Sequence, residues 1–91
     1  MTSNSWKLVV ASSVARSLDR LPPKIAFAIV EFMIGPLTVD PHKLGHPLKR
    51  ELSGLWSARR GLYRIVYELD ESELIINVLY IDHRADIYRP R

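Results

Sequence analysis

The chain has 91 residues, of which 47% are apolar and 25% are charged, and it contains no cysteine. This length predicts one domain, residues 1–91, with a single core, and the composition argues against a disordered chain. The lack of cysteine excludes disulfide bonds and thiolate zinc sites. No signal peptide is visible, and the longest apolar run, residues 25–34, is shorter than the roughly 20 residues that span a bilayer. We therefore expect a cytosolic protein with no membrane association.

Charge is unevenly distributed along the chain, although the formal net charge is only +3. That net charge alone is equally compatible with an ordinary mixed surface. The basic and acidic residues, however, occupy different stretches, as expected of a protein with a phosphate-binding surface. The basic stretch contains Lys43, Lys49, Arg50, Arg59, Arg60 and Arg64, and the acidic stretch contains Glu68, Asp70, Glu71 and Glu73.

The first half of the chain predicts a strand followed by two helices. Residues 6–10 (WKLVV) are typical of a strand, and Ser12 or Ser13 is expected to cap the next helix. Pro22 and Pro23 end that helix, because proline lacks an N–H and restricts the residue before it. The apolar face of this helix recurs at i, i+4 and i+7: Val14, Leu18 and Leu21.

The second helix, residues 24–34, is apolar almost all round and ends at Gly35-Pro36. Such a helix is either buried on more than one side or covered by a partner. Residues 37–47 contain three of the chain's prolines and glycines in close succession, at Pro41, Gly45 and Pro47, so we expect a loop there.

The second half predicts three strands. Residues 55–69 form two strands that meet at a tight Arg60-Gly61 turn, and residues 70–72 form a second turn. The third strand, residues 73–81, is the most hydrophobic and is expected in the interior of the sheet. The resulting order β-α-α-β-β-β predicts an α+β fold, in which a helical hairpin covers one face of a mainly antiparallel sheet. Alternation along the middle strand places four residues on the core face: Tyr63, Ile65, Tyr67 and Leu69.

The same alternation directs Arg64 away from the core, beside Arg59 or Arg60 of the preceding strand. Arg84 directly follows the last strand and is expected next to Arg64. An exposed strand arginine or a solvated hairpin end would account for these residues without any function. Arginine nonetheless suits phosphate recognition, because it stays protonated and can hold two oxygens at once.

Motifs of fixed spacing for metal, nucleotide or acyl chemistry are absent, and His42, His46 and His83 are too scattered to argue for a metal site. RNA can be cut without a metal when its own 2′-hydroxyl attacks the phosphate. That reaction needs a base, fixed positive charge and a proton donor. Within the segment GHPLK, His46 and Lys49 are candidates for the base, and Tyr88 is a candidate proton donor or base-stacking residue. Trp56 is more simply explained as part of the core.

The segment HPLKRELSGLWSARRGLYRIVYEL, followed by a strand and DHRADIY, resembles the RelE/ParE toxin superfamily, and within it the RelE branch, which includes YoeB-like toxins. The most specific segments are PLK, L-x-G-x-W-S-x-R, YRIVY and HRxDxY. The resemblance implies a RelE-like microbial RNase fold. It also implies a type II toxin that binds the ribosomal A site and cuts mRNA there, without metal or cofactor.

Carried over by position, the resemblance assigns Arg64 to phosphate stabilisation. Arg59, Lys49, Arg84 and Tyr88 match other family site residues. Where YoeB-like toxins have a glutamate before PLK, this chain has His46, and histidine ordinarily titrates near neutral pH and can serve as a base. The lysine pair of the best-known RelE form is replaced by Leu55 and Ser57. The residues expected to contact RNA without taking part in catalysis are Arg60, His83, Lys43 and Arg50.

The partners that the resemblance implies are the 70S ribosome, mRNA and a RelB-like antitoxin. The antitoxin is expected to be acidic and partly disordered, and to form a hetero-oligomer that binds operator DNA through the antitoxin. Two alternatives remain: a ParE-like inhibitor that acts on DNA gyrase by protein contact, and an inactive toxin that serves as a corepressor. The PLK and W-S-x-R segments and Arg64 favour the RNA-cutting branch.

Overall fold

A five-stranded sheet with helices on one face forms the fold in the computed structural model, which describes residues 5–83. The strands lie in the order β1-β5-β4-β3-β2; β1 runs parallel to β5, and the other neighbours are antiparallel. This arrangement confirms the α+β fold with a mainly antiparallel sheet. The elements are β1 (Lys7–Val10), α1 (Ser12–Asp19), α2 (Pro23–Ile34), α3 (Pro36–Val39), α4 (Pro41–Leu44), β2 (Gly45–Pro47), β3 (Trp56–Arg60), β4 (Tyr63–Asp70) and β5 (Ile75–His83).

Helix α1 begins at Ser12, one residue earlier than a helix capped by Ser12 would begin. Ala11 occupies the N-cap position and no side chain caps the helix. The Ser13 hydroxyl instead donates a 2.7 Å hydrogen bond to the Leu79 carbonyl of β5. The capping prediction is therefore wrong, because Ser13 has a tertiary partner that fastens the start of α1 to the sheet.

Helix α2 ends at Ile34, as its sequence predicts, and begins one residue earlier than predicted, at Pro23. Pro23 stands in its first turn, where the missing N–H removes no intrahelical bond. At the other end, the Gly35 N–H donates to the Glu31 carbonyl. The helix buries Ile29 and Met33 in the core, and it leaves other apolar residues exposed to solvent.

The segment 37–47 is not a loop, contrary to expectation. It contains most of α3, the single-turn helix α4 and the three-residue strand β2. Leu37 and Pro41 are buried, and the Tyr67 hydroxyl donates a 2.7 Å hydrogen bond to the Pro41 carbonyl. Pro36 and Pro41 stand at helix starts and Pro47 ends β2. Tertiary contacts stabilise these helical turns, which are too short to be stable alone.

The core lies between the sheet and the helices α1 and α2. Ile65 and Tyr67 of β4 are fully buried in it, and Tyr63 and Leu69 pack against it, as the alternation predicts. Val14 of α1 is also fully buried there. No helix within residues 5–83 has the length and hydrophobicity needed to cross a membrane.

Two tight turns set the register of the last three strands. Gly61 follows β3 with φ of 63°, a left-handed conformation that glycine adopts without steric cost. The β4–β5 turn is held by Asp70, whose carboxylate accepts hydrogen bonds from the Glu73 N–H and the Ser72 hydroxyl. Those two bonds stabilise the charged form and lower the pKa of Asp70.

Candidate phosphate-binding face

The sheet carries a cross-strand row of charges on the face opposite α1 and α2, called here the outer face. Arg59 of β3 pairs directly with Arg64 of β4, and Arg64 pairs on its other side with Asp82 of β5. Directly paired residues in a sheet project from the same face. The three side chains therefore form one row, as expected for Arg64 and Arg59.

The Arg64 guanidinium is held loosely. Its Nη2 lies 3.9 Å from Asp82 Oδ2, which is an ion-pair distance but too long for a hydrogen bond, and about a third of each side chain is exposed (35% and 36%). The Arg64 Nε is buried and has no hydrogen-bond partner among the described residues. A buried unpaired donor typically costs about 1–3 kcal/mol. An anion bound at the guanidinium would supply the acceptors that residues 5–83 do not.

The Arg59–Arg64 pair is locally unfavourable, because like charges directly opposite in a sheet repel. Only Asp82, from the next strand, offsets this repulsion within the row. Departures from local stability rules are expected where a protein binds ligands or performs chemistry. The row therefore has the character of an incomplete anion site.

A second row lies next to the first, one pleat repeat away. It pairs His46 of β2 with Ser57 of β3, and Ser57 with Val66 of β4. Ser57 and Val66 are buried and His46 is exposed. From strand spacing and rise, the Cα atoms of His46 and Arg64 are roughly 12 Å apart. The long side chain of Arg64 and the imidazole can thus approach the same substrate from one face.

The remaining basic candidates around β2 are exposed. Lys49 directly precedes a 3-10 turn at Arg50–Leu52, and Arg50 has a φ of 61°. Lys43 lies in α4, where its backbone N–H donates to the Asp40 carboxylate. These side chains are accessible to a polyanion, and the backbone of α4 and β2 brings Lys43 close to His46 in sequence and in space.

Two predicted RNA-contacting residues lie on the opposite face. Arg60 pairs with Tyr63, and Tyr63 pairs with His83, so all three project toward the helices. The rings of Tyr63 and His83 stack with centroids 4.6 Å apart. Arg60 and His83 are therefore separated by the sheet from the row that contains Arg64. Arg84 and Tyr88 lie outside the described residues, so their placement beside Arg64 stays a prediction.

The aromatic residues of the core face have structural contacts. The His42 ring lies between Trp6 and Trp56, edge-on to each, at centroid distances of 5.5 and 5.2 Å. His42 Nε2 lies 2.8 Å from Glu71 Oε2, which connects α4 to the β4–β5 turn. Trp56 packs against the core, as its simpler interpretation predicted.

Asp82 is the site residue that sequence reasoning missed. The alternation at the end of β5 does place Asp82 on the outer face, together with Tyr80 two residues before it. Asp82 is the direct partner of Arg64 there. Finding it requires the register between β4 and β5, which contains an irregularity between Val66 and Tyr67. An extra residue of this kind reverses the faces assigned by simple alternation.

Comparison with known proteins places this geometry in a family. The sequence-family model described as the ParE toxin of the type II toxin–antitoxin system parDE matches residues 8–88. The chain belongs to the RelE/ParE toxin superfamily. Its similarity to named relatives places it in the RelE branch. The toxin RelG of Mycobacterium tuberculosis is 49% identical over 78 residues, covering 86% of this chain and 90% of RelG.

Two further relatives support the same placement. The toxin RelE of Mycobacterium tuberculosis is 46% identical over 84 residues, covering 92% of this chain and 87% of that toxin. Among solved structures, the toxin–antitoxin complex RelBE2 of the same organism contains a chain that is 41% identical, with a TM-score of 0.84. The alignment covers 88% of this chain and 99% of that one. The family, the RelE branch and the fold are thus established for this protein.

Proposed function

We propose that this toxin is a ribosome-dependent mRNA endonuclease, which cuts mRNA in the A site and so inhibits translation until a cognate antitoxin neutralises it. The observation that carries the proposal is the Arg59–Arg64 pair on the outer face, with a loosely held guanidinium at Arg64. Membership of the RelE branch supports the same reaction class. A toxin–antitoxin complex of a 41% identical chain supports the antitoxin as partner.

In the proposed reaction the 2′-oxygen of one nucleotide attacks the adjacent phosphorus. A base removes the 2′-hydroxyl proton, a P–O2′ bond forms, and the bond to the 5′-oxygen breaks as that oxygen receives a proton. Negative charge on the phosphate oxygens grows in the transition state, where fixed cations stabilise it most. Arg64 and Arg59 are assigned this role, because they are directly paired across β3 and β4 on the outer face.

His46 is the proposed base, because it is exposed on the same face one row away. Lys49 is the second candidate and follows His46 by three residues. Tyr88 is proposed as the proton donor to the 5′-oxygen, and Arg84 as a further phosphate ligand, on the family resemblance alone. Lys43 and Arg50 are proposed to contact the flanking backbone of the mRNA or the ribosomal RNA, where exposed cations contribute without base preference.

The decisive experiment is primer extension on translating ribosomes with the wild type, Arg64→Ala and Arg64→Lys. Removing one preorganised charge contact typically lowers the rate by about 100- to 1000-fold. We expect that loss in Arg64→Ala, and an intermediate loss in Arg64→Lys, because lysine keeps the charge but not the two-pronged grip. Arg16→Ala, on the exposed surface of α1, is the matched control and should cut like wild type.

Circular dichroism should show that Arg64→Ala is folded, since the substitution also removes the repulsion with Arg59. A folded Arg64→Ala that cuts mRNA at the wild-type rate would refute the proposed mechanism. Failure of wild type to cut any mRNA on active ribosomes would refute the activity itself.

A second candidate is inhibition of DNA gyrase by protein contact, which the ParE description of the matching family model favours. It predicts intact mRNA together with DNA breaks trapped on gyrase. A gyrase cleavage assay with purified toxin separates the two candidates directly. A protein that is silent in both assays would fit the corepressor alternative, which operator-binding measurements with the antitoxin would then test.

A further inference from the structure

The irregularity between β4 and β5 decides the face on which Tyr80 lies. Val66 pairs with Tyr80, whereas the next residue, Tyr67, pairs with Val78, so Leu79 has no partner in β4. A β-bulge of this kind adds one residue to a strand and reverses the facing of the residues beyond it. Val78 is buried in the core, and strict alternation would direct Tyr80 there as well. The bulge instead directs Tyr80 to the outer face, in the same row as Val66.

The outer face brings Tyr80 close to the row Arg59–Arg64–Asp82. Arg64 pairs with Asp82, and Tyr80 precedes Asp82 by two residues on the same face, so Tyr80 is the diagonal neighbour of Arg64. Diagonal neighbours in an antiparallel pair are roughly 7–8 Å apart, a distance that aromatic and long side chains can span. Bulges are frequent beside active sites, where they redirect a side chain. The bulge at Leu79 thus places an aromatic ring beside the guanidinium assigned to the phosphate.

The side chain of Tyr80 has no structural partner that accounts for this placement. Of the three tyrosines within residues 5–83, Tyr67 donates its hydroxyl proton to the Pro41 carbonyl, and Tyr63 stacks on His83. The Tyr80 side chain makes no hydrogen bond and no ring contact within the described residues, and it is partly exposed. Its ring is therefore available to a ligand on the outer face.

The two rows divide the outer face as a nucleotide is divided. The row of Arg64 is charged, and the adjacent row is apolar and aromatic where Val66 pairs with Tyr80. A nucleotide likewise joins a charged phosphate to a flat base. Proteins that bind single-stranded RNA hold the backbone with cations and stack the bases on aromatic rings. Valine has no π-face, so the stacking surface in this pair is the ring of Tyr80.

We infer that Tyr80 stacks on the base of a nucleotide whose phosphate is held by Arg64. The inference rests on the proposed function for the identity of the substrate, and it adds a substrate-binding residue to that site. Every base has a π-face, so such a contact adds affinity for single-stranded RNA with little base preference. The ring supplies the contact, and the hydroxyl is not needed for it.

The test is titration of purified toxin into a labelled short RNA with 2′-O-methyl sugars, which lack the attacking hydroxyl. The RNA carries 2-aminopurine at each position in turn, because the fluorescence of this base falls when it stacks. Tyr80→Phe keeps the ring, and we expect wild-type quenching and an affinity within twofold. Tyr80→Leu keeps an apolar side chain beside Val66 but has no ring. We expect it to lose the quenching and to bind roughly 5- to 150-fold more weakly.

Phe27→Ala is the matched control, because it removes an aromatic ring with 64% exposure from α2, on the other side of the sheet. It should bind and quench like wild type. Circular dichroism establishes that each variant is folded. Wild-type binding and quenching in folded Tyr80→Leu would overturn the inference. An equal loss in Tyr80→Phe would also overturn it, by assigning the role to the hydroxyl.

The wild type provides a further check that needs no substitution. Wild-type toxin that does not bind the RNA, or binds it without quenching at any position, would overturn the inference. Because the 2′-O-methyl RNA cannot be cut, ring-dependent binding by a toxin that cuts no mRNA on ribosomes would refute only the proposed function. Conversely, mRNA cleavage by wild type together with wild-type RNA binding by Tyr80→Leu would refute only the role of Tyr80.

Discussion

At the scale of single residues, the row Arg59–Arg64–Asp82 contains two interactions of opposite sign. The two arginines repel each other, and the carboxylate of Asp82 partly neutralises the charge of Arg64. The 3.9 Å separation of Arg64 and Asp82 makes the carboxylate a competitor of any phosphate that approaches the guanidinium. Exposed ion pairs of this kind contribute about 0–1 kcal/mol. Asp82 thus weakens the attraction of Arg64 for an anion in the free protein, but it leaves the guanidinium accessible.

Asp82→Asn should therefore tighten binding of a short single-stranded RNA by roughly two- to fivefold, which corresponds to about 0.4–1 kcal/mol. The same change should slightly lower the free energy of unfolding, because the Arg59–Arg64 repulsion loses its counter-charge. Fluorescence anisotropy with labelled RNA and chemical denaturation measure the two effects. Asp19→Asn on the exposed surface of α1 makes the same chemical change elsewhere and serves as control. Weaker RNA binding by Asp82→Asn would contradict the competitor role.

At the scale of elements, the long periodic segments were predictable and the short ones were not. The helix at residues 23–34 and the alternation of β4 follow from hydrophobic spacing and from prolines and glycines at the boundaries. Helices α3 and α4 each have four residues, too few to show a period. They exist because Leu37 and Pro41 are buried by residues distant in sequence.

The same distinction applies to the site. Alternation alone was sufficient to place Arg64 opposite the core, and the position of the turn limited its neighbour to Arg59 or Arg60. The strand register selects Arg59. Sequence alternation could not show that Arg60 and His83 lie on the helix-covered face, because their relative positions depend on the pairing of three strands. Nor could it show Asp82 beside Arg64, because the register of β5 is irregular near Val66.

The junction of α4, β2 and β4 contains a close contact that predicts a coupled effect of two substitutions. A Cβ atom on Gly45 would overlap the Tyr67 hydroxyl, which its bond to the Pro41 carbonyl holds in place. Gly45→Ala should lower the free energy of unfolding by about 1–3 kcal/mol through overpacking. Tyr67→Phe should lower it by about 1–2 kcal/mol, because the Pro41 carbonyl loses its donor.

Together, Gly45→Ala and Tyr67→Phe should cost less than the sum of the two, by about 1 kcal/mol, because phenylalanine lacks the oxygen that the new methyl group meets. Urea denaturation of the four proteins of this cycle measures the coupling. Gly45→Ala combined with Tyr63→Phe is the control, since Tyr63 stacks on His83 in a different row and should be additive. Full additivity with Tyr67→Phe would show that the hydroxyl moves aside freely.

At the scale of the whole molecule, two surfaces of different character flank one small core. The outer face combines cations with exposed polar groups, and the depressions beside α2 combine Lys24 and Arg60 with the exposed apolar side chains of Ile34 and Leu62. A domain of 91 residues buries a modest fraction of its surface, so its stability is expected to be sensitive to single buried groups. Tyr67 is the largest fully buried side chain in the described part of the chain.

Burial raises the pKa of Tyr67 from 10.0 to about 12, because the phenolate is disfavoured away from water. The folded protein therefore keeps this proton to higher pH than the unfolded chain does. The resulting contribution to stability is complete below pH 10 and is lost as the pH rises from 10 to 12. Two pKa units correspond to about 2.7 kcal/mol.

The difference in unfolding free energy between wild type and Tyr67→Phe isolates this contribution, because the other titrating groups are common to both proteins. We expect the difference to stay constant from pH 7 to about 10, and then to move in favour of Tyr67→Phe by up to about 2.7 kcal/mol as pH approaches 12. Urea denaturation at a series of pH values measures it. A difference that stays flat across this range would mean that the hydroxyl reaches water in the folded state, and that the contact with Pro41 does not close this side of the core.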